Sequence, residues 1–194
     1  MDFSSAMAEH PRRAASFLRR FLRMREGAAA VEFALIAFPF FMLIVGVLEL
    51  GMLFMASTTL DSATFTASRM IRTGQLQLNG NNTAAGFQAA VCADMSWLSS
   101  AQCSANVVVD VRTFADFASI STTPPVTNGA LDPTKTEFDS GAGCSIVLVR
   151  VFYPYTLIAP LLEPGLPNLG PTQVLLTSSD TFRNEDFAST TPCS

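Results

Sequence analysis

Histidine is nearly missing from this 194-residue chain: His10 is the only one, and it lies in a basic N-terminal stretch outside the main body. The body therefore has no imidazole to serve as general base or metal ligand. A glycine-rich phosphate loop, a G-x-S-x-G elbow and a D-x-[DN]-x-[DN]-G calcium loop are absent too. No pair of carboxylates stands out as an acid/base couple. The sequence thus names no catalytic residue, no cofactor and no metal, and the expectation is that the chain is not an enzyme. Positive charge is scarce beyond residue 27. Residues 1–27 carry six arginines against Asp2, Glu9 and Glu26, whereas residues 28–194 carry six basic and thirteen acidic groups. A body so acidic repels phosphate, which excludes nucleic acid as the natural partner. Between Phe33 and Leu48 charge vanishes altogether, over 16 consecutive residues.

That uncharged run is what the sequence has in place of catalytic chemistry. From Ala28 to about Arg72 only Pro39 opposes a helix, and proline inside a membrane helix kinks it rather than ending it. The apolar part, Ala28 to about Met55, exceeds the roughly 20 residues that cross a bilayer. Beyond it Leu53, Ala56, Leu60, Ala63, Ala67 and Met70 recur at helical spacing, so the second half is amphipathic and is expected to cover a sheet. Gly74 closes the helix, with Arg69 and Arg72 in its last turns. Arginines before an apolar run keep that end cytoplasmic. The expected order is a leader at 1–27, a long helix at 28–74, and an exported domain at 75–194.

All four cysteines, Cys92, Cys103, Cys144 and Cys193, lie on the exported side, where oxidation is permitted. Two bridges are expected, and four cysteines allow three connectivities. Sequence proximity alone favours Cys92–Cys103 and Cys144–Cys193, against buried free thiols as the other reading. Within the domain, Thr83 caps a second, shorter helix reaching about Leu98. Val107–Arg112, Ile146–Tyr153 and Val174–Phe182 are strand candidates rich in β-branched residues. Residues 121–143 read as a long polar loop with three prolines. The fold class is α+β: one long helix, a short helix, and an antiparallel sheet of three or four strands.

Glu32 sits inside "REGAAAVEFALIAF", where a carboxylate is costly. A plain anchor helix tolerates it near the interface. A secretory signal is a second reading, and Arg19–Arg20 even resemble a twin-arginine signal, but the apolar run outlasts a 7–15-residue signal core and no clean A-x-A site follows. Third, Gly27 followed by four small or apolar residues, Glu32 and Phe33 resembles a prepilin peptidase site. That resemblance implies cleavage between Gly27 and Ala28. It also implies that Glu32 neutralises the new N-terminal ammonium of a neighbouring subunit, since opposite charges attract far more strongly at low dielectric. Glu32 would then set axial register between subunits.

The start "GAAAVEFAL", the segment "SIVLVRVFYPY" and the end "TFRNEDF" together resemble the TadE-like family, as do Cys92 and Cys103 ahead of "VVVDVRTF". The resemblance touches residues 25–72, 91–117 and 143–187; the 121–143 loop and the tail with Cys193 match no pattern of that family. It implies a minor pilin or pseudopilin of the tight-adherence, Flp-type pilus system. Such a protein is a single-pass component of the bacterial inner membrane with a periplasmic domain. Its implied partners are the major and other minor pilins, the prepilin peptidase and the inner-membrane assembly platform. The rival reading is a permanently anchored exported binding domain, an adhesin or sensor, that is never cut.

Three further places carry charged side chains with more than one reading. Glu49 lies about 31 Å along a straight helix from Ala28. It marks the outer membrane interface or, with Gly46 and Gly51 permitting close approach, makes a polar contact with a partner helix. Arg183, Asn184 and Glu185 form either a partner-facing patch or a turn closing the last strand. Asp132, Glu137 and Asp139 read as a solvated acidic loop rather than a calcium site.

Overall fold

Helix-favouring residues run unbroken on both sides of Pro39, and α1 accordingly extends over Arg25–Arg72, passing through the proline. The protein is described by a computed structural model covering residues 25–121, 123–158, 169, 172–187 and 193. The expected leader lies outside the described residues up to residue 24. Two units divide the chain, Met1–Val47 and Leu48–Ser194.

The first unit contributes the N-terminal half of α1, where none of the large apolar side chains from Val31 to Val47 is buried and most are exposed. In the second unit the same helix carries a buried stripe of Ala56, Leu60, Ala63, Ala67 and Ile71. These positions repeat at three and four residues and give one face to the core. At the C-terminal end Gly74 adopts a left-handed φ of 76° and its N–H donates to Ile71 O at 3.0 Å. A residue with no Cβ takes that conformation without strain. One helical turn, α2 (Gln75–Leu78), follows.

Helix α3 covers Ala84–Asp94, and Thr83 caps it as the sequence indicates, accepting from the Gly86 N–H at 3.0 Å. It is shorter than expected. The chain leaves the helix at Met95, whose side chain is fully buried, and Ser99 opens a separate helix, α4 (Ser100–Asn106). The reason is local: Ser99 and Gln102 form a reciprocal capping box, which starts a helix afresh.

Strands β1 (Val108–Phe114), β4 (Ile146–Thr156) and β5 (Gln173–Arg183) form an antiparallel sheet in the order β1-β4-β5. All three lie where β-branched residues cluster in the sequence. Between β1 and β4 the 121–143 region is more ordered than a plain loop. It holds the two-residue strands β2 (Val126–Thr127) and β3 (Ala130–Leu131). Asn128 and Gly129 join them at φ 52° and 74°, the two positive angles of a type I′ hairpin.

The sheet has two covered faces. On one, Val109, Val111, Val147, Val149, Val151, Leu176 and Phe182 join the α1 stripe and Phe87, Val91 and Met95 in a single core. On the other, Phe152, Leu169 and Leu175 form a smaller cluster with Val108, Val126 and Leu131. The fold is α+β. The disulfides are Cys92–Cys103, which ties α3 to α4, and Cys144–Cys193.

Candidate functional site

The start of α1 presents the residues singled out at its N-terminus. Gly27 is half-exposed, and Ala28 and Glu32 are exposed. Phe33 is 71% exposed, and Leu35, Ile36, Phe38 and Phe40 are similarly open. An 18-residue window here has mean hydropathy 2.5, with none of it buried. A helix so long and apolar fits a single-pass membrane anchor. Among the described residues no cation lies within ion-pair distance of Glu32. Its carboxylate is presented outward on an apolar helix.

Glu49 is held within the chain's own fold. It is only 1% exposed, and its Oε1 accepts the backbone N–H of Ile158 at 2.7 Å. The chain's own domain holds the carboxylate that the sequence offered to an interface or a partner helix. Nearby, Gly46 and Gly51 have open space where a Cβ would stand. On the second unit, Leu50, Leu53, Phe54, Ser57 and Leu176 line an open apolar notch of about 460 Å³.

The C-terminal motif turns out to be a clasp. Arg183 Nε donates to Cys144 O at 3.0 Å. Asn184, buried, donates from Nδ2 to Ser140 O and Ala142 O, each at 2.9 Å, so it fastens the end of the 121–143 loop to the end of β5. The Glu185 N–H donates to Arg72 O at 2.8 Å, supplying a partner for one of the carbonyls that a helix end leaves unsatisfied. The Glu185 carboxylate also lies 3.5 Å from Arg72 Nε, an exposed pair of small worth. Phe187 packs where a side chain on Gly74 would be: a Cβ there would run into its ring. Of the two readings of Arg183–Glu185, these contacts are those of the closing turn.

Two residues that the sequence reading passed over organise the other face of the sheet. Asp110 and Arg150 stand directly opposite each other on β1 and β4, both buried. Asp110 Oδ2 accepts from Arg150 Nε at 2.9 Å and Nη2 at 2.5 Å, while Oδ1 accepts from Arg112 Nε and the Glu137 N–H. Arg150 Nη1 donates onward to Thr123 O at 2.6 Å. A buried pair is weak evidence of stability but good evidence of geometry, because each oxygen needs its own donor. Here those donors hold the loop against the sheet. The signal was present: one acid and one base interrupt two otherwise apolar strands, "VVVDV" and "VLVRV". Beside the pair lies an open polar hollow of about 570 Å³ lined by Arg112, Thr123, Lys135, Glu137 and Asp139.

The loop acids serve the loop itself. Asp132 caps the short 3-10 turn Pro133–Lys135, and hydrogen bonding to Thr134 holds its carboxyl below the ordinary carboxylate range. Asp139 accepts from Thr113 Oγ1 at 2.6 Å and from the Gly141 N–H. Among the described residues no group of three or more His, Cys, Asp or Glu side chains converges as a metal site.

Residues 27–69 match the family model described as TadE-like protein. This stretch is TadE-like. The match covers less than a quarter of the chain, yet it contains Gly27, Glu32, Glu49 and most of the buried stripe. No curated protein and no solved structure matches the chain. The TadE-like segment therefore spans both halves of α1 and stops just before Met70, ahead of the clasp.

Proposed function

We propose that the chain is a TadE-like minor pilin or pseudopilin that takes part in assembling a tight-adherence, Flp-type pilus. In this reading a prepilin peptidase cuts between Gly27 and Ala28 on the cytoplasmic side of the bacterial inner membrane. The observation that carries the reading is the outward-facing Glu32 on an apolar, uncovered helix, four residues after Ala28, within the stretch that matches the TadE-like family. Cleavage frees an ammonium on Ala28. A carboxylate at Glu32 of a neighbouring subunit would pair with it as helices gather in low dielectric, where an unpaired charge is costly. The domain beyond stays periplasmic, braced by two disulfides, and offers surfaces to the major pilin, other minor pilins and the assembly platform.

Intact mass and N-terminal sequencing of protein purified from its host's membranes test the reading. The expected N-terminus is "AAAVEFAL", and Gly27→Leu should leave the longer species. A wild-type chain that keeps residues 1–27 in cells with active peptidase would overturn it and favour a permanently anchored binding domain.

A further inference from the structure

The second unit carries an apolar collar at the level of Glu49. Leu50 is 44%, Phe54 71% and Ile158 72% exposed. On α1 no charge keeps the collar in water: from Phe33 to Leu60 the one ionisable residue is Glu49, and that carboxylate is buried. Ile158 is not a loosely placed side chain. Its own N–H is held by Glu49, and the N–H of the preceding Leu157 donates to Thr172 O at 2.9 Å, with Leu157 itself buried. The backbone is fixed at both residues, so one side chain enters the core and the next stands out.

Such a cluster of large exposed apolar residues calls for a cover. Continuity says which. Exposed apolar side chains run along α1 from Phe33 to Met55 without a charged residue on the surface, and Leu50 and Phe54 of the collar are among the last of them. Counted from Ala28, Glu49 is about 31 Å along the helix, against a hydrocarbon layer of about 30 Å.

We propose that the collar of Leu50, Phe54 and Ile158 rests in the outer interface of the lipid bilayer, and that the Glu49–Ile158 hydrogen bond sets its depth. The domain then has no free stalk; its membrane-proximal rim is part of the anchor. Glu49 has a double task. Buried, its carboxylate is kept off the surface of this rim, and as an acceptor it holds Ile158 at the right level. The inference rests on α1 crossing a bilayer and is independent of cleavage at Gly27.

The test uses the full chain in phosphatidylcholine vesicles. All native cysteines are in disulfides, so Ile158→Cys supplies a single thiol for an environment-sensitive fluorophore, with Ala118→Cys, exposed on the domain, as control. The label at 158 should be quenched by doxyl-labelled lipid and shielded from aqueous iodide; the label at 118 should show the reverse. Equal iodide access at both sites, in protein that still floats with the vesicles, would overturn the proposal while leaving the anchor intact. Shielding from iodide without lipid quenching would also overturn it, by showing a protein cover. Added to the labelled chain, Glu49→Leu should raise iodide access at 158, whereas Glu49→Gln, which keeps a carbonyl acceptor, should not. No change with either variant would remove Glu49 from the depth-setting role.

Discussion

Helix α1 is one element in two solvents. From Ala28 to Val47 its apolar residues lie on every side and none of the large ones is buried, whereas from Ala56 to Arg72 buried apolar positions repeat as a stripe that joins the sheet in one core. Both halves are helical for the same local reason, the absence of breakers. Only the second is told by its periodicity which way to face. Among the described residues the first half shows no buried side within this chain. The second half would hold its face in any solvent that keeps the domain folded.

That contrast yields a graded set of expectations. The largest effect should come from Leu60→Ala, which empties a fully buried site and should cost about 2–5 kcal/mol. Leu43→Ala, at an exposed position of the first half, should leave domain stability within about 0.5 kcal/mol in detergent. Denaturant unfolding followed through the single tryptophan, Trp97, reads both; equal losses would abolish the distinction. Next comes Gly74→Ala at the end of the second half. A left-handed φ and the Phe187 ring both oppose a methyl group, for roughly 1–3 kcal/mol. Adding Phe187→Ala should return the steric part and leave the backbone part.

A smaller effect should attend Asp180, which faces the α1 side of β5. Burial pushes its carboxyl above the ordinary range, against the pull of the Thr181 N–H. A carboxyl that binds its proton more tightly when folded favours the native state at low pH. That contribution fades as pH rises from the ordinary Asp value, 3.8, through the raised folded value. Asp180→Asn should therefore flatten this part of the stability profile and leave the protein more stable than wild type at neutral pH; thermal melts across acidic to neutral pH would show it. Smallest of all, Glu32→Ala should not move the unfolding curve, because its side chain is exposed, yet under the proposed function it should abolish piliation. Normal piliation would dispose of Glu32 as a register device.

The sequence was most legible where the cause is local. Three runs of β-branched residues are the three long strands, and Thr83 and Gly74 act as the cap and stop that their types imply. The Ser99–Gln102 capping box and the Asn128–Gly129 turn are local signals as well; the first follows directly on an expected helix end at Leu98, and the second lies in a polar, proline-rich stretch that reads as loop. What was hidden depends on contacts between distant residues. Nothing near Glu49 announces that Ile158 will claim it, and Arg183–Glu185 read equally as patch or turn until Arg72 and Ser140 stand beside them. The Asp110–Arg150 pair lies between: each residue is conspicuous in its own strand, but only the antiparallel register sets them face to face.

Two bonds onto α1, one to a side chain and one to the backbone, have a mechanical consequence. Glu49 grips Ile158 near the start of the helix's domain half, and Arg72 O takes the Glu185 N–H at its end. A load drawn along α1 would be shared by both pins and by the buried stripe between them. The domain cannot be peeled off from one end without first breaking a pin, so traction on the anchor is carried in shear.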